Sequence, residues 1–149
     1  MVKAKEFLNY LCEDLGYKIF LGPECEGFLP LYKHMNKSFT NYMPTVNETV
    51  ALGMAIGNSI GGRNSCVLMD VKNLCDLITP IRDCALKYRT PFLILVYTTD
   101  VDEFPLAIPK TKMTNKNAPR YKEGLKRLVS MTQKDLIPGM FFIKEGILV

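Results

Sequence analysis

Residues 91–97 read Pro91-Phe92-Leu93-Ile94-Leu95-Val96-Tyr97, an apolar run without a single charge. A run of this length that begins at a proline and contains β-branched and aromatic side chains is typical of a buried strand. Short apolar runs of similar character occur at 18–21, 66–69 and 140–143. Strands that are apolar throughout belong to parallel sheets covered by helices on both faces.

The segments between these strands have helical periodicity. The pattern predicts helices at 3–15, 24–36, 45–60 or 47–60, 73–88 or 76–88, and 121–131, and a further strand at 37–42. Pro30 lies inside the second of these helices, where a proline is disruptive. Residues 99–118 lack apolar periodicity and predict a long loop, which in a compact domain is often functional.

Alternation of helices and strands predicts the fold class. We expect a three-layer α/β/α arrangement with a mostly parallel sheet of about six strands, formed by one domain over residues 1–149. Neither a repeat nor a linker-like segment interrupts the pattern.

Charge excludes one class of function. The net charge of +4 is too small to predict nucleic-acid binding, which requires a concentrated basic surface. Seven Lys and Arg residues nevertheless lie within 110–127 against one acid, Glu123. A solvated loop and helix face explains them. The alternative is that Lys110, Lys112 and Lys116 close over a small anionic substrate.

The cysteines indicate a reducing environment. Five occur, at positions 12, 25, 66, 75 and 84, with no CxxC pair and only one histidine, His34, in the chain. This pattern argues against a disulfide framework and a zinc site, and His34 is predicted to be an ordinary polar residue. Cys66, Cys75 and Cys84 fall among apolar residues, where we expect them to pack as small hydrophobes. A cytoplasmic location without membrane contact fits best.

Common enzyme motifs give no support for a function. The sequence contains no GxGxxG after the first strand and no GxxxxGK[ST], and its GxSxG string, at 57–61, falls at the end of a predicted helix. Dinucleotide binding and P-loop phosphoryl transfer therefore have no support in the sequence, and the GxSxG string lacks the strand-to-helix turn that a nucleophile elbow requires.

Glu48 begins the segment that could carry chemistry. Fourteen uncharged residues follow it, from Thr49 to Gly62, and many of them are small. A helix with so little bulk packs its backbone close to a neighbour. A glutamate in the first turn is stabilised by the helix dipole by about 0.3–1 kcal/mol, which is a purely structural explanation. If the helix lies in an interface, however, the carboxyl group loses water and suits proton exchange with a ring nitrogen.

This segment resembles the pyrimidine-binding (PYR) domain of thiamine-diphosphate enzymes. In that family a glutamate begins a helix of the form E-x-x-A-x-G-x-A-x-G, and each fixed position is matched, by Glu48, Ala51, Gly53, Ala55 and Gly57. Further similarity lies in the strand at 67–69, in the stretch at 88–93 and in the stretch at 137–146. The resemblance spans residues 15–147 and is greatest to the small subunit of sulfopyruvate decarboxylase and the matching half of phosphonopyruvate decarboxylase.

The resemblance implies a role for particular residues. Glu48 would hydrogen-bond N1′ of the aminopyrimidine of thiamine diphosphate and activate the cofactor, which then attacks a 2-oxo acid and releases carbon dioxide. Gly22 and Pro23, after the first predicted strand, and Asn73, after the third, are the other implied cofactor-binding residues. Glu24 and Glu26 follow the same turn as Pro23 and are weaker candidates.

A second chain is also implied. The sequence has no G-D-G…N stretch, the family motif that binds Mg²⁺ and diphosphate. The resemblance therefore implies a separate diphosphate-binding (PP) subunit that holds Mg²⁺, and a hetero-oligomer with PYR–PYR or PYR–PP contacts. The chain would be a carboxy-lyase subunit that is inactive alone, and the substrate would be a small anionic 2-oxo acid. No metal ligand is expected within this chain.

Two turns depart from the family pattern. The family has Q-N-S-G-x-G-N after the third strand, where this chain reads Met69-Asp70-Val71-Lys72-Asn73-Leu74, and an Arg-Gly pair where it reads Thr98-Thr99-Asp100. These changes leave two alternatives open. The chain could be a non-catalytic PYR-like binding or regulatory module, or a flavodoxin-like binding module without any link to thiamine.

Overall fold

Six parallel strands form one sheet in the computed structural model, which describes residues 1–35, 41–99 and 104–149. The strands are β1 (Ile19–Gly22), β2 (Asn41–Pro44), β3 (Ser65–Asp70), β4 (Leu93–Thr98), β5 (Lys110–Met113) and β6 (Gly139–Lys144). Their order across the sheet is β2-β1-β3-β4-β6-β5. The predicted α/β class with a six-stranded parallel sheet is confirmed.

Helical segments connect the strands. They are α1 (Ala4–Asn9) with a π-helical turn to Asp14, α2 (Leu29–Met35), α3 (Glu48–Ile60), α4 (Ile78–Pro80) and α5 (Tyr121–Asp135). Helix α4 joins a 3₁₀ segment, Val71–Leu77, to a π-helical segment, Ile81–Leu86. Within the described parts of the chain, none of the helices has the length and apolar character needed to cross a bilayer.

Both faces of the sheet are covered, because successive strand residues point to opposite sides. On one face, Leu68, Leu95 and Phe141 pack with residues of α1, α2 and α5. On the other face, Val67, Ile94, Met140 and their neighbours pack with α3 and with the helical segment 71–86. The three layers therefore follow from strands that are apolar on both sides.

Several predicted elements differ from the observed ones. The long loop at 99–118 is wrong in part, because Lys110–Met113 forms β5 at the edge of the sheet. Pro30 does not interrupt a helix, since it lies in the first turn of α2, where a missing N–H is tolerated. The helical segment predicted to open at 73 or 76 begins at Val71. Strand β2 starts at Asn41, and residues 36–40, which include part of the predicted strand, lie outside the described residues.

The cysteines are free thiols, as expected, but not all are buried. Cys66 is completely buried in the sheet, whereas Cys75 and Cys84 are exposed. The prediction that Cys75 and Cys84 pack in the core is therefore wrong. Their helical segment presents them on its outer side, a direction that apolar neighbours in sequence do not reveal.

The connections change direction beside β1. The chain leaves β1 for β2 on one side and returns to β3 on the other side. At such a switch point the carboxyl ends of the two strands open into a crevice, which is where ligands bind in open parallel sheets. The fold therefore directs attention to the residues that follow β1 and β3.

Candidate functional site

Glu48 lies at this switch point as the first residue of α3. Of the two residues expected to cap this helix, Thr45 and Asn47, the cap is Asn47, whose side-chain oxygen accepts a hydrogen bond from the Val50 amide at 2.9 Å. Three residues on the inner side of α3 pack on the sheet: Ala51, Leu52 and Ala55. This packing holds the start of the helix close to the ends of β1 and β3. As a result Glu48 is only 9% exposed.

Asn73 reaches Glu48 from the segment that follows β3. Its side-chain Nδ2 donates to Glu48 Oε1 at 2.7 Å. Asp70 caps the 3₁₀ segment by accepting from the Lys72 amide at 2.9 Å. The segment Val71–Leu77 that begins after this cap carries the Asn73 side chain to the start of α3. The structure thus brings together Glu48 and Asn73, which the sequence placed 25 residues apart.

Gly22 explains how closely β1 approaches β3. Its φ is +149°, a conformation that other residues rarely adopt, and a Cβ there would collide with the carbonyl oxygen of Leu68. The Gly22 carbonyl accepts hydrogen bonds from the Tyr42 hydroxyl at 2.9 Å and from the Thr45 amide at 3.1 Å. Gly22 is therefore needed for packing, and the chain turns at Pro23 into the crevice.

A pocket of about 390 Å³ surrounds the Glu48 side chain. Its lining comes from the turn after β1, the start of α3 and the segment after β3: Pro23, Glu24, Cys25, Glu26, Val46, Glu48, Asp70, Lys72 and Asn73. Of the predicted site residues, Glu48, Pro23 and Asn73 line this pocket, together with the weaker candidates Glu24 and Glu26. We call it the Glu48 pocket.

A second cavity, of about 510 Å³, adjoins the Glu48 pocket and shares Glu26, Asp70 and Lys72 with it. Its far wall is Tyr97, at the carboxyl end of β4, with Glu145 just after β6. The Tyr97 ring lies directly on the backbone of Gly27, where a Cβ would collide with the ring. The two cavities share a wall and lie side by side along the carboxyl edge of the sheet, and together we call them the cleft.

This cleft is acidic, although the chain as a whole is basic. Among the residues that the structure describes, five carboxylates and two lysines line the cleft or its extension beyond Tyr97: Glu24, Glu26, Glu48, Asp70 and Glu145, with Lys72 and Lys144. Burial raises the pKa of Tyr97, and the nearby Glu145 raises it further, so its hydroxyl remains a hydrogen-bond donor at neutral pH. Burial likewise raises the pKa of Cys25, which therefore stays a thiol.

The basic segment does not converge on this cleft as a unit. Lys110 is the first residue of β5, at the amino edge of the sheet, and it donates to the Phe104 carbonyl at 2.7 Å. The cleft lies at the opposite, carboxyl edge, and Lys110 does not line it. That the basic segment, with Lys112 and Lys116, closes over an anionic substrate stays a prediction. Residue His34 is half-buried in the last turn of α2. Within the described ranges, no three His, Cys, Asp or Glu side chains could hold a metal ion.

A solved structure shares this fold. The 2-oxoglutarate:ferredoxin oxidoreductase from Magnetococcus marinus, determined with 2-oxoglutarate, coenzyme A and succinyl-CoA bound, matches 98% of this chain with a TM-score of 0.73 and 12% identity. This chain spans 29% of the length of that protein. At this identity the likeness concerns the fold, and the α/β arrangement is of the PYR type. No protein-family model matches the sequence, and a search among curated proteins finds no match.

Sequence reasoning missed part of the lining. Asp70, Tyr97 and Glu145 each lie at or just after the carboxyl end of a strand. Because parallel strands all end at the same edge of the sheet, this position was a usable signal for a shared site. Gly27, in contrast, carries no such signal, since its role depends on a ring that is 70 residues away in sequence.

Proposed function

We propose that this chain is the aminopyrimidine-binding (PYR) half of a thiamine-diphosphate enzyme that acts on a 2-oxo acid as a decarboxylase. The observation that carries the proposal is the Glu48 carboxylate, nine-tenths buried at the switch point of the sheet, with one oxygen held by Asn73 in an open pocket. The fold supports it, because the similar oxidoreductase is a thiamine-diphosphate enzyme.

The polar groups that line the Glu48 pocket fit the aminopyrimidine. A carboxylate that faces a ring nitrogen can hydrogen-bond it or exchange a proton with it. In the proposed arrangement Glu48 does this and Pro23 forms part of the wall beside the ring, while Gly22 lets β1 approach β3 closely behind that wall. When bound, thiamine diphosphate supplies the electron sink for the loss of carbon dioxide. The acidic cleft also suits the positive charge of the thiazolium ring.

Anionic groups are assigned to the partner. With five carboxylates and two lysines, the cleft disfavours the diphosphate of the cofactor and the acidic groups of a 2-oxo acid. We therefore assign Mg²⁺, the diphosphate and any sulfonate or phosphonate of the substrate to a separate PP chain in a reducing, cytoplasmic compartment. Within the chain, residues 1–149 are proposed to act as one PYR domain.

The surface for that partner is the outer face of α3. Val50 and Met54 are 46% and 37% exposed, and Gly53 and Gly57 have open space above them. This face carries no charge after Glu48, and it continues directly into the rim of the Glu48 pocket. An uncharged apolar face of this kind is typical of an interaction surface.

Thiamine itself, which lacks the phosphates, is the probe that tests the proposal. We expect millimolar thiamine to perturb the backbone NMR signals of Glu48, Val50 and Asn73 in the chain alone. The Glu48→Gln variant should lose this response, whereas Glu123→Gln, which removes a carboxylate from the exposed side of α5, should keep it. A wild-type chain that does not respond would favour the non-catalytic module.

A second experiment adds the partner. With a PP chain and Mg²⁺ present, thiamine diphosphate should raise the unfolding temperature of the complex, and a hundredfold excess over Kd corresponds to about 2.7 kcal/mol. Turnover of a 2-oxo acid should vanish in Glu48→Gln while the complex still assembles. Full activity of this variant would contradict the role given to Glu48.

A further inference from the structure

We infer that Asn73 is a positioning residue, which fixes the orientation of the Glu48 carboxyl group and leaves Glu48 Oε2 to face the bound ring. The inference rests on the proposed function and refines it, because Asn73 then acts on Glu48 rather than on the cofactor. Its basis is the 2.7 Å hydrogen bond from Nδ2 to Oε1, which joins the segment after β3 to the first residue of α3.

An amide is well suited to this task. The Asn73 nitrogen can only donate, so it pairs with an oxygen of Glu48 that accepts. It adds no charge to a pocket that already contains Glu24, Glu26 and Asp70 with Lys72 as its one cation among the lining residues. Within the described parts of the chain no hydrogen bond reaches Oε2, and that oxygen therefore remains for a ligand.

The local fold makes the contact specific to residue 73. Asp70 starts the 3₁₀ segment by capping the Lys72 amide, and one turn later the chain presents Asn73 to α3. The glycine-rich turn expected from the family would leave this position conformationally free. The contact with Glu48 therefore arises within the segment after Met69 that departs from the family pattern.

Asn73→Asp tests the contact in the chain alone. This change keeps the shape but places a second carboxylate against Glu48, and two such groups share one proton. The folded state of the variant then binds a proton more tightly than the unfolded state. Its stability, relative to wild type, is retained at low pH and lost as the pH rises above about 4.

The matched control is Asn58→Asp. It is the same substitution, in α3 and about 15 Å along the helix from Glu48. We expect the unfolding equilibrium constant of Asn73→Asp to rise at least tenfold more than that of Asn58→Asp between pH 4.5 and pH 7.5. Glu24, Glu26, Asp70 and Lys72 line the same pocket as residue 73, so the comparison is repeated in a Glu48→Gln background, where the difference between the two variants should largely disappear. Parallel pH profiles for the two variants would overturn the inference.

Thiamine binding separates the inference from the proposed function. Asn73→Ala should weaken thiamine binding to the chain about tenfold, measured by the same NMR titration. If wild type and Asn73→Ala bind thiamine equally well, Asn73 is not a positioning residue, although the proposed function stands. If wild type does not bind thiamine, both fail.

Discussion

Helices α3 and α5 have similar lengths and similar inner faces but opposite outer faces. Helix α3 buries Ala51, Leu52 and Ala55, and α5 buries Leu125, Leu128 and Val129. The outer side of α5 carries charged and polar residues, including Lys122, Lys126, Arg127, Gln133 and Lys134, whereas that of α3 carries glycines and apolar side chains. The inner face of each helix reflects its packing on the sheet, and the outer face reflects what the helix contacts on its other side. Helix α5 meets water, and we propose that α3 meets another chain.

The largest expected effect tests the shared inner faces. Leu52→Ala in α3 and Leu128→Ala in α5 each remove a side chain that is 0–1% exposed, so each should lower the free energy of unfolding by about 2–5 kcal/mol. Met131→Ala, on the exposed side of α5, is the control and should have little effect. Chemical denaturation of the chain alone measures all three. A small effect for Leu52→Ala would mean that α3 packs loosely without its partner.

The next effect distinguishes the outer faces. Gly53→Ala and Gly57→Ala place a methyl group in open space within a helix, so each should stabilise the chain alone by up to about 1 kcal/mol. In α5 the methyl group of Gly124→Ala would come within 3.1 Å of the Thr111 methyl group, which offsets the gain.

The same α3 variants should weaken association with a partner. The backbone of a partner can approach α3 closely only where glycine leaves no side chain, and the added methyl groups would prevent this. Thermal unfolding and binding measurements on one set of proteins would show both effects. Stabilisation together with unchanged association would argue against α3 as the contact surface.

The smallest effect concerns the solvated helix. Lys122 of α5 pairs with Glu6 of α1 at 2.8 Å, and this hydrogen-bonded lysine lowers the pKa of Glu6. The pair therefore contributes above the ordinary carboxyl pKa, and its contribution is lost as the pH falls through the lowered value. In Glu6→Gln, stability should fall slightly less on acidification than in wild type. Because both side chains are about half exposed, the difference should be small and should shrink further in high salt.

The interior strands were predicted well from the sequence, because a strand that is buried on both faces consists almost entirely of apolar residues. Strand β5 was missed for the opposite reason. It reads Lys-Thr-Lys-Met, lies at the edge of the sheet and pairs only with β6 among the described strands, so its order comes from a partner and not from its own composition.

For the site, the sequence and the family resemblance supplied Glu48, Pro23 and Asn73 but not their arrangement. The hydrogen bond between Glu48 and Asn73 depends on a 3₁₀ segment that begins directly after Asp70. No periodicity in the sequence predicts this segment. The acidity of the cleft was also hidden, because the five carboxylates come from four separate segments of a chain whose net charge is +4. Strand order, rather than composition, concentrates them.

Strand β6 has a consequence for how this chain acquires its fold. It is the last strand in sequence, yet it lies between β4 and β5 and pairs with both. Until it has been synthesised and inserted, β4 presents an unpaired apolar edge, which invites pairing with other chains. Completion of the sheet must therefore wait for residues 139–144, and the folding rate should be limited by this late, non-local pairing. Newly made chains that stall before β6 are the species in which aggregation should begin.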